Sequence, residues 1–199
     1  MNADGAGAPE QLLKSDYEIG ATSWSADGRF LVLYQTHPET DGDIWVLPLE
    51  GDRKPEHVLQ TPADEGAAMF SRDGRFLAYV SNGSGRAEVY VQAFPGPGGR
   101  WQVSTDGGTE PVWSRSGDEL FFRSAERMMV VPVETEPTFA ATKPRSLFED
   151  TYDKHGWFIA NYDVSPDGQS FLMVKGGGEE EAQLVVVQNW PELLRSAPQ

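Results

Sequence analysis

The chain has no cysteine among its 199 residues. That excludes disulfides and thiolate chemistry and leaves the redox compartment open. Positive charge is scarce: 16 Lys and Arg stand against 31 Asp and Glu, for a net charge of −15. A surface of that sign repels phosphate backbones and anionic lipid, so nucleic acid is excluded as a partner. No apolar run approaches the ~20 residues that cross a bilayer, which excludes membrane insertion by a helix. The N-terminus, Met1 to Glu10, has neither a basic stretch nor an apolar one of the kind a signal peptide needs. As written, the sequence is expected to be soluble and cytoplasmic. A fragment of a secreted or anchored protein would instead be periplasmic or extracellular.

Catalytic signatures are missing as well. No Gly-x-Ser-x-Gly elbow, His-Arg-Asp, Asp-Phe-Gly or Gly-rich loop with its strand lysine occurs.

What the chain does have is turns and repeats. Its 21 Gly and 14 Pro are spread along the length rather than massed in one tract, as in a turn-rich all-β protein. Four segments align: Trp24-Ser25-Ala26-Asp27-Gly28-Arg29-Phe30, Phe70-Ser71-Arg72-Asp73-Gly74-Arg75-Phe76, Trp113-Ser114-Arg115-Ser116-Gly117 and Val164-Ser165-Pro166-Asp167-Gly168-Gln169. Their serines lie 46, 43 and 51 residues apart, near the ~40–45 residue period of a four-stranded propeller blade. Asp-Gly between two apolar runs is a strong hairpin signal. The serine and aspartate side chains can both serve backbone N–H groups inside the turn. In the third copy Ser116-Gly117 replaces Asp-Gly and offers less side-chain support.

Each turn is followed by an apolar run with almost no polar interruption, the pattern of a strand covered on both faces. Third strands follow at 43–47, 88–92, 128–132 and 183–187, and outer strands at 56–59, 100–103 and 145–148. The fourth copy has none; Pro191 to Arg195 reads as a short helix in the tail 191–199. Pro9-Glu10-Gln11-Leu12-Leu13-Lys14 matches Pro55-Glu56-His57-Val58-Leu59-Gln60, so residues 9–14 are expected to supply the missing outer strand. The fold class that results is all-β: a propeller of four-stranded antiparallel blades over about 20–66, 67–109, 110–159 and 160–190, with its seam between the N-terminal strand and the last blade. It closes on itself, or it is part of a larger propeller that closes with further blades or as a homodimer.

At these motifs the sequence resembles the TolB-like family of WD-repeat-like propellers. The carriers are Ser-Ala-Asp-Gly-Arg at 25–29, Ser-Arg-Asp-Gly-Arg at 71–75 and Ser-Pro-Asp-Gly-Gln at 165–169, with the strands after them. The stretch from Phe70 to Val133, with Phe94-Pro95-Gly96-Pro97-Gly98-Gly99 and Gly107-Gly108-Thr109-Glu110-Pro111-Val112-Trp113-Ser114, is similar to the propeller region C-terminal to bacterial serine/threonine protein kinase domains. The resemblance implies a non-catalytic scaffold for protein or ligand contacts, the sensing part of a signalling protein.

The aspartates of the repeated turns, one per blade, read as scaffold rather than metal ligands, because a hard cation needs several oxygens converging. Candidate binding residues lie elsewhere. Four residues before each serine, on the strand expected to line the channel, stand Ala21, Ala67, Glu110 and Asn161. Glu110 and Asn161 could hold a polar ligand or a cation such as calcium, though no cofactor is required. The long connection between the third and fourth blades carries Tyr152, His155 and Trp157, an aromatic group suited to packing over the ring mouth or to contacting a ligand. Two functions are therefore expected to compete: a protein-interaction or sensory module, and a channel-site enzyme or cation binder around Glu110 and Asn161.

Overall fold

The computed structural model describes residues 7–96, 98–154, 158–175 and 183–188. Four antiparallel sheets form a four-bladed β-propeller. The first blade is β1 (Ile19–Trp24), β2 (Phe30–His37), β3 (Asp41–Pro48) and β4 (Glu56–Leu59). The second is β5 (Glu65–Phe70), β6 (Phe76–Ser81), β7 (Glu88–Ala93) and β8 (Arg100–Gln102). In the third, β9 (Thr109–Trp113), β10 (Glu119–Ser124) and β11 (Arg127–Glu134) are joined by two strands on the outer side of β11. These are the two-residue β12 (Ala140–Ala141), absent from the sequence reading, and β13 (Arg145–Glu149). The fourth holds β14 (Tyr162–Val164), β15 (Ser170–Lys175) and β16 (Gln183–Gln188).

The middle strands explain the stacking, because alternate side chains enter two different cores. On β6, Leu77 and Tyr79 pack with Val32, Ile44 and Val46 of the first blade. The intervening Phe76, Ala78 and Val80 pack with Trp113, Leu120 and Phe122 of the third. On the other face of β10, Phe121 meets Tyr162, Phe171 and Met173 of the fourth blade. Each junction between blades is thus a hydrophobic core, and every inner blade belongs to two.

The repeated turn is a small hydrogen-bonded unit. In the second blade Ser71 Oγ donates to Asp73 Oδ1 at 2.6 Å and accepts the Phe76 N–H at 3.0 Å, while the Arg75 N–H donates to Asp73 Oδ1 at 3.1 Å. Gly74 has a φ of 71°, which its lack of Cβ permits. The first and fourth copies repeat these bonds through Asp27 and Asp167. In the third copy Asp118, two residues later than Ser116, supplies the carboxylate: it accepts from Ser114 Oγ at 3.1 Å and from Ser116 Oγ. The support that the sequence denied this turn comes from the next residue but one.

The expected outer strand at 9–14 is a correction. That segment contains no strand and lies against the first blade, where Glu10 pairs with Arg53 at 2.5 Å and Ser15 Oγ accepts from Gln35 Nε2 at 2.8 Å. Leu13, Lys14 and Ser15 there wall a cavity of about 120 Å³ with Leu33 and Trp45, so they cover the side of the first blade turned away from the second. The physical reason is burial: the first blade also needs a cover for its free face. On the last blade the register partners Leu172 and Val186 remain 42% and 54% exposed. The tail 191–199 lies outside the described residues.

Two outcomes test the turns. Gly74→Ala should cost about 1–2 kcal/mol, the penalty of a left-handed conformation for a residue with a Cβ, read from the urea midpoint. Bonds from Ser165 and from the Gln169 N–H hold Asp167 below its ordinary pKa of 3.8. A carboxyl lowered in the folded state contributes stability above its unfolded pKa and loses it as pH falls through the folded one. Asp167→Asn should therefore lower the melting temperature at pH 7, and the gap to the parent should close as pH drops below 3.8.

Candidate functional site

The innermost strands β1, β5, β9 and β14 surround the channel, and side chains bonded to backbone set their spacing. Thr22 Oγ1 donates to the Ala68 carbonyl at 2.7 Å, Trp113 Nε1 to the Met69 carbonyl at 3.1 Å, and the Tyr162 hydroxyl to the Glu110 carbonyl at 2.9 Å. Three of these strands are bulged where they pair with the second strand of the blade, between Ala21 and Ser23, Gly66 and Met69, and opposite Phe121 to Arg123. Ala67 and Glu110 take left-handed φ values of 50° and 54° inside the bulges. An L-residue rarely holds that conformation unless its surroundings impose it.

At Glu110 the surroundings are ionic. Its carboxylate is fully buried and sits 3.5 Å from Arg123 Nε; Asp150 Oδ2 lies 3.3 Å from the same nitrogen. The Asn161 N–H donates to Glu110 Oε2 at 2.7 Å, and Arg123 Nη1 donates to the Asp153 carbonyl at 2.7 Å. The Arg123 guanidinium also stands 5.3 Å from the Tyr162 ring centroid. Burial first, and then the neighbouring Glu110 charge, raise the Tyr162 phenol well above its usual pKa, so it stays a donor.

Glu110 and Asn161, placed together by sequence spacing alone, do meet, but the bond is to the Asn161 backbone. The Asn161 side chain turns to the Asp153 carbonyl at 3.3 Å. Tyr152 is half-buried and packs against the core between the third and fourth blades, its N–H donating to Asp150 Oδ1 at 3.3 Å. His155 and Trp157 lie outside the described residues. Chemically this group is a clamp: one guanidinium between two carboxylates fixes the connection from the third blade to the fourth. Among the described residues no three His, Asp or Glu side chains converge as a metal would require.

The sequence reading missed Arg123 and Asp150. An arginine inside the apolar run 120–124 was the available signal, since an unpaired buried guanidinium is prohibitively costly. It also missed the seat of Phe158. This ring stacks on Tyr34 of the first blade with centroids 4.4 Å apart, so the connection from the third blade crosses the channel. Gly42 makes room for it: a Cβ there would stand 2.4 Å from Asp64 Oδ1 and 3.2 Å from Phe158.

Two hollows lie along the channel. One of about 320 Å³, beneath Phe158 and Ile159, is lined by Thr22, Ala67, Met69, Val112 and Tyr162. The other, of about 590 Å³, opens on the side of the repeated turns between Trp24, Arg72, Trp113, Arg115, Asp163 and Pro166. Trp24 is 62% exposed there, whereas its counterparts Phe70 and Trp113 are 6% and 7% exposed. Arg72 ties the second and third turns together through a bond from Nη1 to the Arg115 carbonyl.

This arrangement of inner strands around an open channel recurs in solved structures. TolB from Acinetobacter baumannii superposes with a TM-score of 0.69 at 17% identity, over 94% of this chain and 45% of that one. The chain has a TolB-like propeller fold. An oligogalacturonate lyase in complex with manganese matches at a TM-score of 0.63 and 14% identity, over 90% of this chain and 53% of its own. A puromycin-hydrolysing peptidase from Mycobacterium tuberculosis matches at 0.55 and 17%, over 83% and 26%. No family model and no curated protein matches. The chain spans about half the length of the first two structures. At these identities the likeness is one of fold, and because two of the three relatives carry enzyme names, the fold alone leaves the function open. No helix among the described residues is long and apolar enough to cross a membrane.

Arg123→Met should leave Glu110 and Asp150 buried without their counter-charge and cost about 3–5 kcal/mol, measured by thermal or urea unfolding.

Proposed function

We propose that this TolB-like propeller is a non-catalytic binding module that takes an acidic segment of a partner protein at the turn-side mouth of its channel. The observation that carries this reading is Trp24. It is an indole 62% exposed at the rim of a 590 Å³ hollow that Arg72 and Arg115 also line. Trp and Arg are the residue types that dominate binding hot spots, and a hollow of this size admits several side chains. Among the residues that line the hollow two are arginines and one, Asp163, is acidic, in a chain whose net charge is −15. An acidic ligand is repelled by most of the surface and attracted there, which favours that approach over others.

The serines around the mouth support a non-catalytic role. The Ser71 hydroxyl is committed to Asp73 and the Phe76 N–H, that of Ser114 to the Ser116–Asp118 turn, and Ser23 Oγ accepts the Phe70 N–H at 3.2 Å. Among the described residues none is paired with a histidine base. A place in a kinase-linked signalling protein fits the motifs between Phe70 and Val133 and belongs to the same proposal.

Fluorescence anisotropy with a labelled Asp/Glu-rich peptide tests the reading. Binding is expected at low salt, weakened about tenfold (~1.4 kcal/mol) by Trp24→Ala and by the double change Arg72→Ala and Arg115→Ala. Added salt should weaken it further, and a Lys-rich peptide should not bind. Equal affinity of parent and variants would sink the proposal, as would preference for the basic peptide.

A further inference from the structure

At the other end of the strands, away from the repeated turns, a cleft of about 780 Å³ opens on the second blade beside the connection that enters it. Its walls are the connection through Thr61, the hairpin from Asn82 to Gly85, and Arg100 and Gln102 of β8. Glu65, the first residue of β5, lines it while being only 1% exposed. Its Oε1 accepts from Thr61 Oγ1 at 2.6 Å and from Ser81 Oγ at 3.3 Å. Its Oε2 has no hydrogen-bond partner among the described residues. A buried carboxylate oxygen left bare is costly, and burial accordingly raises the Glu65 pKa.

The opposite charge stands in the same cleft. Arg100 is exposed, and its guanidinium lies 4.1 Å from the Tyr90 ring centroid and 5.8 Å from that of Tyr79. The two rings are themselves stacked with centroids 5.8 Å apart. Cation–π contact holds the charge over the two rings.

We infer that this cleft binds a small zwitterion, an α-amino acid or the free end of a short peptide, with its ammonium on Glu65 and its carboxylate on Arg100. An ammonium brings three donors, which suit an oxygen that lacks one, and the planar guanidinium offers the paired donors a carboxylate accepts. A simple anion would meet the Glu65 carboxylate, and a simple cation would meet Arg100. A neutral sugar would leave both charges unanswered and would find the face of Tyr90 already covered by Arg100. The cleft volume is in the range of small-molecule sites. None of its residues borders the channel mouth, so this site stands or falls independently of the acidic-segment reading.

Isothermal titration of the full chain with L-alanine and with L-alanyl-L-alanine tests it. Binding of at least one is expected. The N-acetylated and the C-amidated dipeptide should each bind about tenfold more weakly or not at all. Glu65→Gln and Arg100→Gln should each reduce affinity by a similar factor, while Lys143→Ala, exposed and outside both hollows, should leave it unchanged. Arg100 is exposed, so its variant is expected to fold even where the Glu65 variant does not, which circular dichroism checks. The inference is overturned by absence of heat with both probes, by equal binding of the blocked dipeptides, by Arg100→Gln binding as the parent does, or by methyl glucoside binding in their place.

Discussion

Two-sided burial of the middle strands is the constraint on which the rest of the structure depends. A sheet of three or four strands cannot hide its apolar side chains alone, and here each inner sheet hides them against two neighbours at once. Leu77 and Tyr79 on one face of β6, with Phe76, Ala78 and Val80 on the other, tie the second blade to the first and third simultaneously. The end blades show the same demand from the other side. Residues 13–15 cover the free face of the first, while on the last Leu172 and Val186 remain exposed.

That constraint is why so much of the fold was legible in the sequence. Apolar runs after Gly28, Gly74, Gly117 and Gly168 could only be strands covered on both faces, and the glycines marked where the chain reversed. What was not legible depends on contacts between segments distant in the chain. The match of 9–14 to 55–60 is real as sequence, but a strand needs a free edge and the right register, and those residues found the face of the first blade instead. Asp118 could not be recognised as the carboxylate of its turn because it stands two positions from where the repeat puts one.

The candidate sites divide in the same way. Spacing from the serines brought Glu110 and Asn161 together, because position within a blade repeats from copy to copy. It could not show that Glu110 would meet Arg123 and Asp150, since those residues come from different strands and only the packed junction assembles them. Nor could it show the channel mouth, where residues of neighbouring blades converge, or the Glu65 cleft, which the second blade forms with the connection that enters it. Among the described residues the one guanidinium that is buried, Arg123, is held by two buried carboxylates, Glu110 and Asp150.

The bonds that space the inner strands end on backbone carbonyls, those of Ala68, Met69 and Glu110. A carbonyl is present whatever residue occupies the position, so each bond requires conservation of the donor only. Half of every such contact is therefore immune to mutation. This gives a physical reason why propellers that share only 14–17% identity can share one fold.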